Sequence, residues 1–173
     1  MLKKIHRLIS IIESKLFPMA YAKKGGVEFG EGCRLNGAPD WGSEPWLISV
    51  GKHTEISNNC TFITHDGSTW VFRNQEKYKK VIRFGKIQIG DNCFIGAGTT
   101  VMPGIKIGNN CIVGACSLVT KNIPNGEVWG GGVPAKFIST TTDFAEKCLR
   151  ETPEYDVENF CKNKKEEVLR MLK

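Results

Sequence analysis

One aliphatic residue recurs at every sixth position from residue 89 onward: Ile89, Ile95, Val101, Ile107, Val113 and Val119. Four residues after each stands a small or medium side chain, namely Cys93, Thr99, Ile105, Cys111, Ser117 and Ile123, and Gly directly follows the aliphatic residue at 90, 96, 108 and 114. Such a period belongs to short strands that each turn one large side chain inward and then change direction at Gly, Asn, Asp or Ala. Three strands close a triangular coil of about 18 residues, and successive coils stack by parallel pairing at about 4.8 Å. Ile89 should therefore lie under Ile107, and Cys93 under Cys111.

An earlier block, Val50, Ile56 and Phe62, repeats the pattern, and a looser one begins at Val27–Gly32. Phe62 and Ile89 are separated by 27 positions, which is not a multiple of six, so a segment over about 67–86 must leave the coil. Nineteen glycines against nine phenylalanines and three tyrosines fit a turn-rich, all-β chain. The ends differ. Residues 3–17 place Ile5, Leu8, Ile9, Ile12 and Leu16 on one helical face, and residues 156–172 are rich in Lys and Glu, with Thr142-Asp143 and Thr152-Pro153 as helix starts. The chain thus divides into a helical lead-in (1–24), a β-solenoid (25–139, with the 67–86 insertion) and a helical C-terminal segment (140–173). Short helices at both ends would cover the pairing edges that a solenoid otherwise exposes.

The formal net charge is +6, with two basic clusters: residues 1–24, and residues 67–86, where Arg73, Lys77, Lys79, Lys80, Arg83 and Lys86 face Glu76. That balance suits an anionic small molecule, a lipid surface or nucleic acid. Seven cysteines, an odd number with no CxxC pair, argue against a zinc knuckle or a disulfide framework and read as reduced and largely buried. Ala20-Tyr21-Ala22 behind a basic start has the look of a cleavage site, but Glu13 and Lys15 interrupt the apolar stretch. A cytoplasmic protein is expected. For the N-terminal helix, packing across the end of the solenoid is the simpler placement and weak association with an anionic lipid surface the alternative.

The strings Ile87-Gln88-Ile89-Gly90-Asp91-Asn92-Cys93-Phe94-Ile95-Gly96-Ala97, Val113-Gly114-Ala115, Val119-Thr120-Lys121-Asn122-Ile123-Pro124 and Gly132-Val133-Pro134-Ala135-Lys136 resemble the hexapeptide-repeat acyltransferases. That family includes galactoside, maltose, serine and xenobiotic acetyltransferases and sugar O- and N-acetyltransferases of surface-polysaccharide pathways. The resemblance covers about residues 27–139. It implies a left-handed parallel β-helix, against the usual right-handed crossover, and a homotrimer with active sites between subunits and acetyl-CoA as co-substrate. By the same resemblance, Ala97 and Ala115 meet the pantetheine arm, and Thr120, Lys121 and Lys136 lie near the adenine and phosphates.

Transfer from a thioester needs a base to take the acceptor's proton, and imidazole titrates near neutrality. Of His6, His53 and His65, only His65 ends a repeat and directly precedes the insertion, where relatives place their catalytic histidine. The local string Phe62-Ile63-Thr64-His65-Asp66-Gly67 resembles the branch acting on polysaccharide precursors and departs from the His-Pro of the galactoside and maltose enzymes. Asp66, Trp70, Arg73 and Asn92 are expected acceptor contacts; for the group that holds His65 the sequence offers Asp66, whose side chain would point away in a strand, or a backbone carbonyl, and does not choose between them. The acceptor is expected to be a sugar, a nucleotide sugar or a lipid-linked saccharide, acetylated on oxygen or nitrogen. Three readings compete. A nucleic-acid binder conflicts with the coenzyme A signature; a carbonic-anhydrase-like hydrase lacks three converging His ligands, so no metal is expected; and a noncatalytic trimeric scaffold would have no need of His65.

Overall fold

The structure, a computed structural model, describes residues 10–172. The chain divides into two compact units, Met1–Thr141 and Thr142–Lys173. Of the amphipathic helix expected over 3–17, residues 1–9, His6 among them, lie outside the described residues, and residues 10–16 are helical. Helix α1 (Pro18–Gly25) follows and ends at Gly26, whose φ of 103° gives the left-handed cap that glycine adopts without strain. Among the described residues no helix is long and apolar enough to cross a membrane.

From there the first unit lays down β1 (Glu28–Phe29), β2 (Arg34–Leu35), β3 (Ile48–Val50), β4 (Glu55–Ile56), β5 (Thr61–Phe62) and β6 (Ile87–Ile89). It continues with β7 (Phe94–Ile95), β8 (Thr100–Val101), β9 (Lys106–Ile107), β10 (Ile112–Val113), β11 (Leu118–Val119), β12 (Glu127–Gly130) and β13 (Lys136–Thr140). Strands β1, β3, β6 and β9 form a first sheet; β2, β4, β7, β10, β12 and β13 a second; β5, β8 and β11 a third. The chain visits these sheets in rotation and pairs in parallel with the coil before and after it, which makes the unit a parallel β-helix. The exception is β13, which runs antiparallel to β12 and covers that edge of the second sheet.

The six-residue period fixes the register. Ile89 pairs with Ile107, Ile95 with Val113 and Val101 with Val119, each 18 positions apart. Ile56, Phe62, Ile87, Ile95, Val101 and Val113 are fully buried. The small residues between them fill the corners and satisfy backbone groups: Thr54 Oγ1 donates to the Gly90 carbonyl (2.9 Å), Cys93 Sγ to Gly108 (3.0 Å) and Cys111 Sγ to Pro124 (3.0 Å). Trp41 stacks on Phe62 at 4.9 Å and plugs the core of the early coils. Cys60, Cys93 and Cys111 are buried, but Cys116, Cys148 and Cys161 are exposed, so the expectation of largely buried cysteines holds only for the inward-facing repeat positions.

Register also shows where the coils swell. Phe29 pairs with Val50, 21 positions on, and Val50 with Ile89, 39 positions on. Against a regular coil of 18, these offsets leave three and 21 surplus residues. Both surpluses lie between the third and first sheets, at what is here termed the third corner. The three occur within residues 41–47, where Pro45–Leu47 form a 3-10 turn; the 21 form the insertion, which holds 3-10 turns at Gly67–Val71 and Glu76–Tyr78.

The second unit contains α2 from the boundary (Thr141–Glu151), α3 (Val157–Lys162) and α4 (Lys164–Met171). Thr152-Pro153 does not start a helix. Asp156 does, because its carboxylate accepts from the Asn159 amide at 3.0 Å. Glu167, 1% exposed, accepts from Arg170, from Asn159 Nδ2 (2.9 Å) and from the Asp156 amide (2.8 Å), which in that order hold its carboxyl down at about 2.

Candidate active site

His65 follows β5 and sits at the base of the insertion, whose two ends are tied together across the third corner. His65 bridges Phe84 in antiparallel fashion, the Asp66 amide donates to the Arg83 carbonyl (3.0 Å) and the Gly85 amide to the Thr64 carbonyl (2.9 Å). These bonds hold the histidine backbone on the rigid coil and leave the loop outside it.

Nδ1 of His65 lies 2.9 Å from Oε2 of Glu44, and the same oxygen accepts the Thr64 hydroxyl at 2.6 Å. Glu44 comes from the three surplus residues in the coil below. Hydrogen bonds from Thr64 and then from His65 hold the Glu44 carboxyl below the usual carboxylate range, so it is ionised at neutral pH and only accepts. Nδ1 is therefore the donor of that bond, which leaves Nε2 as the ring nitrogen turned to a substrate. The imidazole is 43% exposed while the Glu44 side chain is only 16% exposed. Phe84 forms a wall beside it, with ring centroids 6.1 Å apart.

The partner of His65 is thus Glu44, and neither Asp66 nor a backbone carbonyl, the two candidates the sequence offered. The Asp66 carboxylate turns back to accept from the Ser68 amide (3.0 Å) and Ser68 Oγ (2.5 Å), capping the first turn of the loop, and pairs with Arg83 at 3.1 Å. The bonds from Ser68 are the main reason its carboxyl is held low, with Arg83 adding to it. His65, Asp66 and Arg73 do line one cleft of about 240 Å³, together with Glu44, Ile82 and Phe84. Trp70 lies further out, over a neighbouring hollow that it shares with Arg73.

Asn92 is elsewhere. It occupies the corner between the first and second sheets, in a stack where His53 Nδ1 lies 3.1 Å from Asn92 Oδ1 and Asn92 Nδ2 donates to Asn110 at 2.8 Å. His53, Asn92 and Asn110 all have φ between 52° and 57°, which asparagine tolerates better than most side chains, so the turn itself accounts for their identity. Ala97 and Ala115 occupy the corner between the second and third sheets, stacked so that the Cys116 amide donates to the Ala97 carbonyl at 2.8 Å. Thr120 and Lys121 share the third corner with His65, two coils further on, roughly 10 Å away at strand spacing. Lys136 opens β13, exposed, next to buried Ala135. Within one chain the expected residues are thus divided among corners. Among the described residues, no three His, Cys, Asp or Glu side chains are grouped to hold a metal ion.

Glu44 and Thr64 escaped the sequence reading. The available signal was the 21-residue offset between Phe29 and Val50, which marks a bulge at the corner that His65 occupies.

The six-residue coils place the chain in a class of group-transferring repeat proteins: residues 86–121 match the family described as bacterial transferase hexapeptide (six repeats). Protein CapG of Staphylococcus aureus is 44% identical over 129 residues, 73% of each chain. A galactoside O-acetyltransferase of Lactococcus lactis is 31% identical over 147 residues, 83% of this chain and 68% of the relative. The crystal structure of a hexapeptide-repeat acetyltransferase of Vibrio cholerae has the same fold, with a TM-score of 0.54 at 20% identity over 70% of this chain and 77% of that one. The chain belongs to the bacterial hexapeptide-repeat transferases and is an enzyme of the acetyltransferase class.

Proposed function

We propose that the protein moves an acetyl group from acetyl-CoA to a hydroxyl of a sugar-type acceptor, with His65 as general base and Glu44 as the residue that positions it. The observation that carries this reading is the Thr64–Glu44–His65 chain of hydrogen bonds beside an open cleft. Nε2 takes the acceptor's proton as its oxygen attacks the thioester carbon. The imidazolium so formed is stabilised by the ionised Glu44, and the same proton passes to the departing thiolate sulfur when the C–S bond breaks. Atoms and charge balance, and no other reactant is needed. The galactoside O-acetyltransferase among the relatives supports a sugar as the acceptor.

In this reading the coil is left-handed, as the family implies, and three chains assemble so that coenzyme A lies in the groove between neighbours. Ala97 and Ala115 line the pantetheine channel, and Thr120, Lys121 and Lys136 meet the nucleotide end, where a compact ammonium suits a phosphate. The division of these residues among corners supports a site completed by a second subunit, because a neighbouring prism can set one chain's alanine corner against another chain's His65.

Release of free thiol from acetyl-CoA across a panel of sugars and nucleotide sugars tests the reading. His65→Ala should lower kcat by about 10²–10⁴-fold, the range of a general base, and leave the KM for acetyl-CoA near its wild-type value. Transfer at the wild-type rate in that variant would sink the mechanism.

A further inference from the structure

The helix over residues 10–16 turns its polar side to the body of the first unit and its apolar side away. Ile12 and Leu16 stand four positions apart on one face, with Phe17 at the end of the helix. An amphipathic helix of a globular chain ordinarily buries such a stripe against a core. Here Ser10, Glu13 and Ser14 face inward, lining a hollow of about 570 Å³ whose other wall includes Asp40, Trp41 and Pro45. Ser10 Oγ lies 3.0 Å from the Tyr21 hydroxyl, and Glu13 pairs with Lys24 at 3.3 Å. Ile11 also reaches the hollow but stays exposed, and Ile12, Leu16 and Phe17 are 48%, 66% and 65% exposed. Packing across the end of the solenoid, the simpler placement on sequence grounds, would bury these side chains, and the structure leaves them open.

Charge says what can cover that face. Residues 1–24 carry six Lys and Arg against the single acid Glu13, and Glu13 is held by Lys24. Lys15 and Lys23 are exposed, and among the described residues no carboxylate pairs with either. Lys15 sits next to Leu16 and three positions after Ile12, so its alkyl stem borders the apolar stripe and its ammonium forms a basic rim. A second copy of this chain is the poorer occupant, because it brings the same basic segment and a formal net charge of +6 to that rim. An anionic bilayer offers an apolar boundary for the stripe and negative headgroups for the rim.

We propose that this segment is a membrane-surface helix: Ile12, Leu16 and Phe17 enter the acyl boundary of an anionic bilayer, and Lys15 and Lys23 meet its headgroups. Attachment is peripheral and reversible, since three side chains bury little apolar area and among the described residues no helix is long and apolar enough to cross a membrane. The coil that carries His65 thereby works at a surface, and its chemistry is unchanged. Nothing in this inference depends on the acetyl-transfer reading.

The test is co-sedimentation of the full chain with vesicles of phosphatidylglycerol and phosphatidylcholine, set against vesicles of phosphatidylcholine alone. Binding to the anionic vesicles should be at least about tenfold tighter and should weaken as the salt is raised. Ile12→Ser combined with Leu16→Ser should weaken it by at least about tenfold, and so should Lys15→Gln combined with Lys23→Gln. All four side chains are exposed, so both double variants should keep the wild-type Tm and KM for acetyl-CoA. Analytical ultracentrifugation without vesicles reads the rival occupant: a smaller particle for the serine variant would show that a second copy covers this face, and the proposal would fall. Equal binding to both kinds of vesicle, or no binding to either, would overturn it as well. Binding that the serine variant leaves intact would do the same and would move the lipid contact to the basic insertion over 67–86. His65→Ala should bind vesicles as wild type does, so loss of acetyl transfer and loss of lipid binding are read separately.

Discussion

Thr64 is 1% exposed, and its hydroxyl is spent on Glu44. A buried hydroxyl needs an acceptor, and a carboxylate pinned by that hydroxyl on one side meets imidazole on the other, so the two bonds determine which nitrogen of His65 is protonated. Glu44→Gln keeps the shape and removes the charge. Its kcat should fall by at least about tenfold but by no more than the roughly 10²–10⁴-fold that the base itself supplies, with little change in the KM for acetyl-CoA. The same variant carries a pH signature. Because the Glu44 carboxyl is held below its ordinary 4.5 in the folded chain, its ionised form stabilises the fold above that value, and the contribution is lost as pH falls through the folded value. The difference in Tm between wild type and Glu44→Gln should be present at pH 7 and shrink as the pH is taken below 4.5. A difference that grew with acid would show that the carboxyl is not held low. His65 was readable from sequence because it directly precedes a break in the period. Glu44 was not, since the 21 positions between it and His65 become a contact only after the enlarged coil is stacked.

At the scale of strands and corners, the period identifies inward and turn residues together, because in a two-residue strand only one side chain can point to the axis, as at Ile95, Val101 and Val113. Asn92 shows the limit of that reading: a polar residue on a repeat looks like a candidate ligand, yet a positive φ explains it. The insertion's existence followed from a spacing of 27, whereas its 3-10 turns and the Asp66 cap depend on local hydrogen bonds that no period encodes. Glycine is required where coils touch. A Cβ on Gly96 would lie 2.5 Å from the Ala115 amide nitrogen and 2.8 Å from the Gly114 carbonyl carbon, both backbone atoms of the next coil. Gly96→Ala must therefore separate two coils, and overpacking of this kind costs about 1–3 kcal/mol. The urea midpoint should drop accordingly with the slope unchanged, whereas an unchanged midpoint would mean the coils have slack.

For the whole molecule, the question is why one chain holds its candidate residues on separate corners. The proposed groove between prisms would bring them together, and subunit mixing makes that countable. His65→Ala removes the base; Ala115→Trp blocks the pantetheine channel at an exposed corner, so neither change should prevent folding. Each variant alone has no intact site. Unfolding and refolding an equal mixture yields about three quarters mixed trimers under random closed assembly. Around such a ring, one interface in three joins an intact His65 to an intact Ala115 of the next chain. About a quarter of the wild-type activity should then return, since the expected fraction of intact sites is the product of those two ratios. If base and channel belonged to the same chain, every site in every mixture would carry one defect and nothing would return. Recovery near a quarter, read against separately refolded variants, therefore tests the trimer and the shared site in one measurement, and a flat result would place the site within a single prism.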